Sequence, residues 1–231
     1  MVRVRKSEER GHADHGWLEA RHSFSFASYH DPEWMGFRSL RVLNEDVIQA
    51  RRGFGTHPHR DMEIVTVVLE GALTHEDSMG SRATLRPGIV QRMSAGTGIM
   101  HSEMNDSDAP CHLYQTWIMP DGAGHQPRYE DRPFDLAARR DRLRLIVSPD
   151  GRDGSLDVHQ DVSIYDAALG SGVEVAHALA DGRHAWIQVA AGSVHVNGET
   201  LEAGDAAAVS DEAALSIAAI DDAEFLLFDL A

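Results

Sequence analysis

Two pairs of metal-ligating residue types stand out: His57 and His59 in Thr56-His57-Pro58-His59-Arg60, and His101 and Glu103 in Met100-His101-Ser102-Glu103-Met104. Each pair has the spacing i, i+2, which on a β-strand puts both side chains on one face. If the two segments pair as neighbours, four Cα atoms fall within a patch of roughly 7 by 5 Å, and three imidazoles and a carboxylate can converge on one ion. Imidazole suits Fe, Ni, Cu and Zn, and a carboxylate shifts the preference toward harder ions. Such a set around an octahedral ion leaves two adjacent positions, enough to hold an organic molecule beside dioxygen. A structural zinc site would be closed and would recruit thiolates, whereas this chain has one cysteine, Cys111. Glu63 follows His59 by four residues and shares its parity, so spacing alone leaves open whether Glu63 or Glu103 is the carboxylate. The remaining histidines (His12, His15, His22, His30, His75, His112, His125, His159, His177, His184 and His195) are read as surface or ordinary core residues.

That chemistry requires strands. Helical periodicity is scarce, and short strand-like runs recur between Gly, Pro, Asn and Asp punctuation, which argues for an all-β architecture. Ser23 to Ala27 alternates at period two, Glu63 to Leu69 is a β-branched run closed by Glu70-Gly71, and Leu113 to Met119 is another, ended by Pro120. Asp131 to Leu145 mixes Pro133 with Arg139, Arg140, Arg142 and Arg144 and reads as a solvated connection; Ser148 to Gly154 is turn-rich. The second half then repeats the first in outline. Ala185–Gly192 matches Ile64–Gly71, Ser193–Gly198 reads as a strand ending in an Asn-Gly hairpin turn, and Leu201–Asp205 parallels Leu85–Ile89. Two similar antiparallel β-barrels are therefore expected, over residues 1–135 and 136–231. The second has no His-x-His and no His-x-Glu, with Ser216-Ile217-Ala218 on the comparable strand, so it is expected to be metal-free and structural or pocket-covering.

The 231 residues carry 37 acidic against 21 basic side chains, a formal net charge of -16. A surface of that sign repels nucleic-acid phosphates and anionic lipids. No stretch approaches the roughly 20 apolar residues of a membrane-spanning helix. Met1 to Arg10 is charged without an apolar signal core, and one cysteine forms no intrachain disulfide, so the cytoplasm is the expected compartment.

His57-x-His59-x3-Glu63 and His101-x3-Asn105 resemble the paired motifs of the cupin superfamily, with one extra residue before Gly71 and with Ser94 where proline is usual. More narrowly, His57-Pro58-His59-Arg60-Asp61-Met62-Glu63, Met93 to Met104, Ser148-Pro149-Asp150, Gly11 to Trp17 and Phe24-Ser25-Phe26 resemble the pirin family, closest to its compact bacterial members with quercetinase activity. The resemblance implies a bicupin of two double-stranded β-helix barrels. It implies one divalent transition metal in the N-terminal barrel, expected to be Fe(2+), with Ni, Co, Mn, Cu or Zn as alternatives, held by His57, His59, His101 and Glu103. Glu63 is then left as a hydrogen-bonding neighbour of the ligands. The implied activity is a quercetin 2,3-dioxygenase-like cleavage of flavonol-type aromatics with dioxygen and release of carbon monoxide, with Glu103 also taking the enolic proton. Phe24, Phe26 and Trp117 are read first as core aromatics and second as pocket walls. The rival readings are a non-enzymatic, iron-binding redox or metabolic regulator acting through protein partners, and a cupin that binds a sugar or small acid. A monomer is expected.

Overall fold

The computed structural model describes residues 1–231 as twenty-two strands and three single-turn 3₁₀ segments. No helix is long and apolar enough to cross a membrane. Contacts divide the chain into two units. One comprises Gly11–Phe134 with Val158–Gln160; the other comprises Met1–Arg10, Asp135–Asp157 and Asp161–Ala231. The first ten residues group with the second unit because β1 (Val2–Arg5) pairs antiparallel with Ala206–Val209.

The first unit is built from β2 (Gly11–Asp14), β3 (Leu18–His22), β4 (Leu40–Ile48), β5 (Arg52–His59), β6 (Glu63–Glu70), β7 (Leu73–Asp77), β8 (Arg82–Leu85), β9 (Ile89–Ser94), β10 (Ile99–Asn105), β11 (Cys111–Ile118) and β12 (Arg128–Pro133). A seven-stranded sheet runs β12-β9-β6-β11-β4-β3-β2, and a four-stranded sheet runs β5-β10-β7-β8. The second unit has the same division, seven strands and four. Neither pair of sheets is joined by hydrogen bonds into a closed barrel; each is the two-sheet form of a double-stranded β-helix.

The repeat read in the sequence is carried by its turns. Gly71 and Gly192 both have positive φ, at 78° and 68°, and so do Gly88 and Gly204, at 86° and 84°. Asn197 and Gly198, at φ 46° and 93°, make the hairpin turn. The strand expected over Ser23–Ala27 does not form. Ser25 exchanges hydrogen bonds with Asp31 through its hydroxyl, its amide bonds to the Trp34 carbonyl, and Ala27 turns the chain at φ 50°, so side-chain bonding displaces a ladder. Arg139 is not merely solvated: it binds Asp166 and Glu224 at 2.7 and 2.8 Å.

Alternation along the strands sorts the first unit's interior into layers. Inward positions on β6 run Ile64, Thr66, Val68; on β9, Met93, Gln91, Ile89; on β11, Trp117, Gln115, Leu113. One apolar cluster holds Ile64, Met93 and Ile99 with Trp117 against it, and a separate one holds Val68, Leu73 and Leu113 with Ile89. Between them lies a polar row, Gln115–Thr66–Gln91, whose members are direct cross-strand partners. The corresponding row of the second unit is Leu227–Ile187–Ala207, part of one continuous apolar cluster. A layer of buried polar side chains thus belongs to the first unit alone.

β10 and β5 cross that layer on the facing sheet. The ladder pairs His101 with His57, then slips so that Glu103 pairs with Phe54, leaving Gly55 and Thr56 opposite Ser102 alone. This β-bulge resets parity on β5, so that Phe54 and His57 both face inward although three residues apart. The strands meet closely here. A Cβ on Gly53 would lie 2.2 Å from the Glu103 carbonyl oxygen and 2.7 Å from the Met104 Cα. Gly53→Ala should therefore push β5 off β10 and cost about 1–3 kcal/mol in urea denaturation, the usual range for overpacking.

Candidate metal centre

β10 alternates cleanly, with Ile99, His101, Glu103 and Asn105 buried and Met100, Ser102 and Met104 outside. His101 and Glu103 therefore project inward, and the register sets His57 directly opposite His101, with His59 one pleat further on. The ring nitrogens of His57, His59 and His101 lie within 4.8 Å of one another, close enough to share a metal ion. Glu103 belongs to a second, overlapping set at the same separation, with His101 and His75. His101 is common to both.

Hydrogen bonds decide which nitrogens are available. His57 Nδ1 lies 2.8 Å from the Gly55 carbonyl oxygen, which only accepts, so Nδ1 carries the proton and Nε2 a lone pair. That Nε2 lies 3.0 Å from His101 Nε2. With a lone pair on His57 Nε2, either a proton on His101 Nε2 or a cation must lie between the two nitrogens. The charged imidazolium forms are disfavoured: burial, followed by the neighbouring imidazoles, pulls His101 down to about 2, and burial, then His57, pulls His59 down to about 4. Neutral, converging imidazoles are the state in which histidine binds metal.

Glu103 is fully desolvated, and burial holds its carboxyl above the usual range, partly offset by Gln115. Gln115 Nε2 donates to both carboxylate oxygens, at 3.0 and 2.9 Å, and Gln115 Oε1 accepts from Trp117 Nε1 at 3.0 Å. The indole can only donate, which fixes the amide orientation. Each Glu103 oxygen keeps lone pairs for a metal or a proton. Glu103, His57 and His59 open into one cleft, whose aromatic walls are Phe26, Phe54 and Trp117. The cleft encloses about 540 Å³ including its mouth, within the roughly 300–1,000 Å³ of small-molecule sites.

The pirin family profile matches residues 3–118, and that of the quercetinase C-terminal cupin domain matches residues 145–230. Over 231 residues the chain is 54% identical to a quercetin 2,3-dioxygenase of Escherichia coli (strain K12), covering 100% of this chain and 99% of that one. The chain belongs to the pirin family. A pirin-like protein of Caulobacter vibrioides is 41% identical over 232 residues, 100% of each chain. Among solved structures, YhhW from E. coli superposes with a TM-score of 0.97 at 53% identity, covering 100% of this chain and 98% of that one. The nickel(II) complex of YhhW does so at 0.95, with 53% identity and coverage of 100% and 99%. These matches confirm the resemblance and the bicupin fold read from the sequence.

Within this pirin, Glu63 lies away from the imidazole set. Asp61, at φ 47°, turns the chain between β5 and β6 and breaks the parity that linked Glu63 to His57 and His59. The Glu63 carboxylate instead accepts from the Ser94 hydroxyl at 2.8 Å and meets His159 Nδ1 at 3.0 Å. Ser94 thus has a use where proline could not serve. Of the aromatics, Phe26 and Trp117 line the cleft, while Phe24 is fully buried elsewhere. Gln115 does not stand out in the sequence, and His75 reads there as a surface or ordinary core histidine. His75-x-Asp77 is itself a period-two pair on a strand after a glycine turn, which is the signal that could have found it.

The second unit replaces this chemistry position by position. Leu215 and Ile217 stand at the register positions of His101 and Glu103, and Val196 at that of His75. His177 occupies the position of His57, but its Nε2 bonds Asp229 at 2.7 Å.

Because His59 and His101 are neutral when folded, the unfolded chain takes up their protons first as pH falls below about 6.5. Their contribution is fully present above that value. It is lost on acidification, toward about 4 for His59 and about 2 for His101. The Tm of the metal-free protein should fall between pH 7.5 and pH 5, and fall less in the His59→Gln/His101→Gln double variant.

Proposed function

We propose that this chain is a metal-dependent dioxygenase that cleaves flavonol-type aromatics such as quercetin, consuming dioxygen and releasing carbon monoxide. In this reading one divalent transition metal is held by His57, His59, His101 and Glu103, with iron(II) and nickel(II) the leading candidates. The observation that carries it is the set of converging, inward-facing imidazoles at the base of an aromatic-walled cleft. Relatives named as quercetin 2,3-dioxygenase and the nickel(II) complex of YhhW support it. The donor set suits a borderline first-row ion, being nitrogen-rich with one hard oxygen and no thiolate.

When bound, the ion supplies Lewis-acid stabilisation of an enolate oxygen and redox chemistry with dioxygen. The chain's own residues do the rest. Phe26, Phe54 and Trp117 offer edges and faces to a flat polyphenol, and the buried base of the cleft excludes bulk water. Glu103 accepts the enolic proton at a carboxylate oxygen. In the metal-free chain burial favours its protonated form, partly offset by Gln115. Gln115 and Trp117 keep the carboxylate from rotating away as it changes charge.

Loading the purified protein with Fe, Ni, Co, Mn or Cu and following quercetin absorbance with and without oxygen tests this reading. Oxygen-dependent bleaching with carbon monoxide release is expected. His57→Ala should abolish it, and Glu103→Gln should slow it by roughly 10²–10⁴-fold, the usual contribution of a general base. No turnover with any of these metals would overturn the assignment.

A further inference from the structure

His75 and Asp77 lie behind the imidazole set, on β7, and none of the cleft chemistry uses them. Both side chains are fully buried. Asp77 Oδ1 accepts the backbone N–H groups of Met79 and Ser81, at 2.9 and 3.0 Å, which pins the carboxylate and aims Oδ2 at His75 Nε2, 3.1 Å away. His75 Nδ1 in turn lies 3.3 Å from His101 Nδ1, and the Tyr129 ring stacks on His75 at a centroid distance of 4.4 Å and 17°. Each contact restricts the next. A carboxylate only accepts, so His75 carries its proton on Nε2. With His75 in its neutral form Nδ1 is a bare acceptor, and His101 donates to it from Nδ1 across 3.3 Å. One proton position remains on a neutral His101, and it has been used. Nε2, the nitrogen that faces His57, is left with its lone pair.

We infer that Asp77 and His75 are positioning residues that set the tautomer of His101, so that its Nε2 is presented as a metal ligand before any metal arrives. The logic is that of the aspartate in a Ser-His-Asp triad, which holds its histidine in the productive tautomer, extended here by one imidazole. His57 reaches the same state by a shorter route, through the Gly55 carbonyl. The inference deepens the proposed function, since it rests on His101 being a ligand. It adds a charged anchor on β7 whose only path to the ion runs through another side chain. In the second unit the positions of His75 and Asp77 are Val196 and Gly198, and that of His101 is Leu215, so anchor, relay and ligand are all replaced there.

Asp77→Asn tests it with little change in shape. The amide oxygen can still accept from Met79 and Ser81, but the amide nitrogen now donates toward His75 Nε2. The relay then reverses, and the proton of His101 moves to Nε2. Nitrogen-15 NMR of histidine-labelled, metal-free protein reads this directly. Wild type should show His101 protonated at Nδ1 and bare at Nε2, and Asp77→Asn should show the opposite. Nickel(II) affinity, measured by competition with a chelator, should fall roughly 10–100-fold in Asp77→Asn, the usual cost of losing a partner behind a ligating histidine. Wild-type His101 protonated at Nε2, or a nickel(II) affinity unchanged within twofold in Asp77→Asn, would overturn the relay. The tautomer measurement decides the relay even if wild type binds no nickel(II), an outcome that would count against the metal reading instead.

Discussion

Placing imidazole and carboxylate groups inside a β-sandwich is costly unless their buried lone pairs and protons find partners. A buried polar group left unpaired costs about 1–3 kcal/mol, and this interior contains a row of them. The chain meets most of this demand by ordering the groups into directional runs, and leaves the Gln91 Oε1 atom as an exception without a partner. Trp117 donates to Gln115, which donates to Glu103; Gln91 donates to Thr66 at 3.4 Å; Asp77 accepts from His75. The Nε2 atoms of His57 and His101 are the place where such runs end facing each other. That is the point a cation would complete. Substrate cleft, bulge and polar row are all arranged around it.

The duplicated unit shows what the same topology does without that demand. Its turns repeat, with glycines at corresponding corners, but its interior is one apolar cluster rather than two separated by a polar layer. Its strand Glu174–Ala178 pairs with Ala214–Ala219 without a bulge. The bulge in β5 therefore belongs to the site and not to the fold. It brings Phe54 round to the cleft wall and sets His57 against His101, and Gly53 permits the close approach beside it.

Much of this was legible in the chain because strands convert parity into facing. His101 and Glu103 project together for the reason their spacing implied, and the β-branched run beginning at Glu63 is an interior strand of its sheet. Parity failed where the backbone leaves the strand. Asp61 in a left-handed turn separates Glu63 from the histidines, and no property of Glu63 itself announces this. The alternating Ser23–Ala27 segment misled for a related reason, since a serine hydroxyl and an aspartate carbonyl outcompeted a ladder. His75 reads as an ordinary histidine in the sequence because its importance comes from a diagonal contact across two strands. The polar row Gln115–Thr66–Gln91 becomes visible only once three distant strands are aligned.

Binding of one ion by His57, His59, His101 and Glu103 is the claim on which the functional reading stands. Anomalous diffraction from crystals of the nickel-loaded protein measures it most directly. The account predicts a single strong peak per chain, within bonding distance of the Nε2 atoms of His57 and His101, a ring nitrogen of His59 and a Glu103 carboxylate oxygen. A peak coordinated by His75 or Glu63 in place of Glu103, or one lying in the second unit, would contradict it.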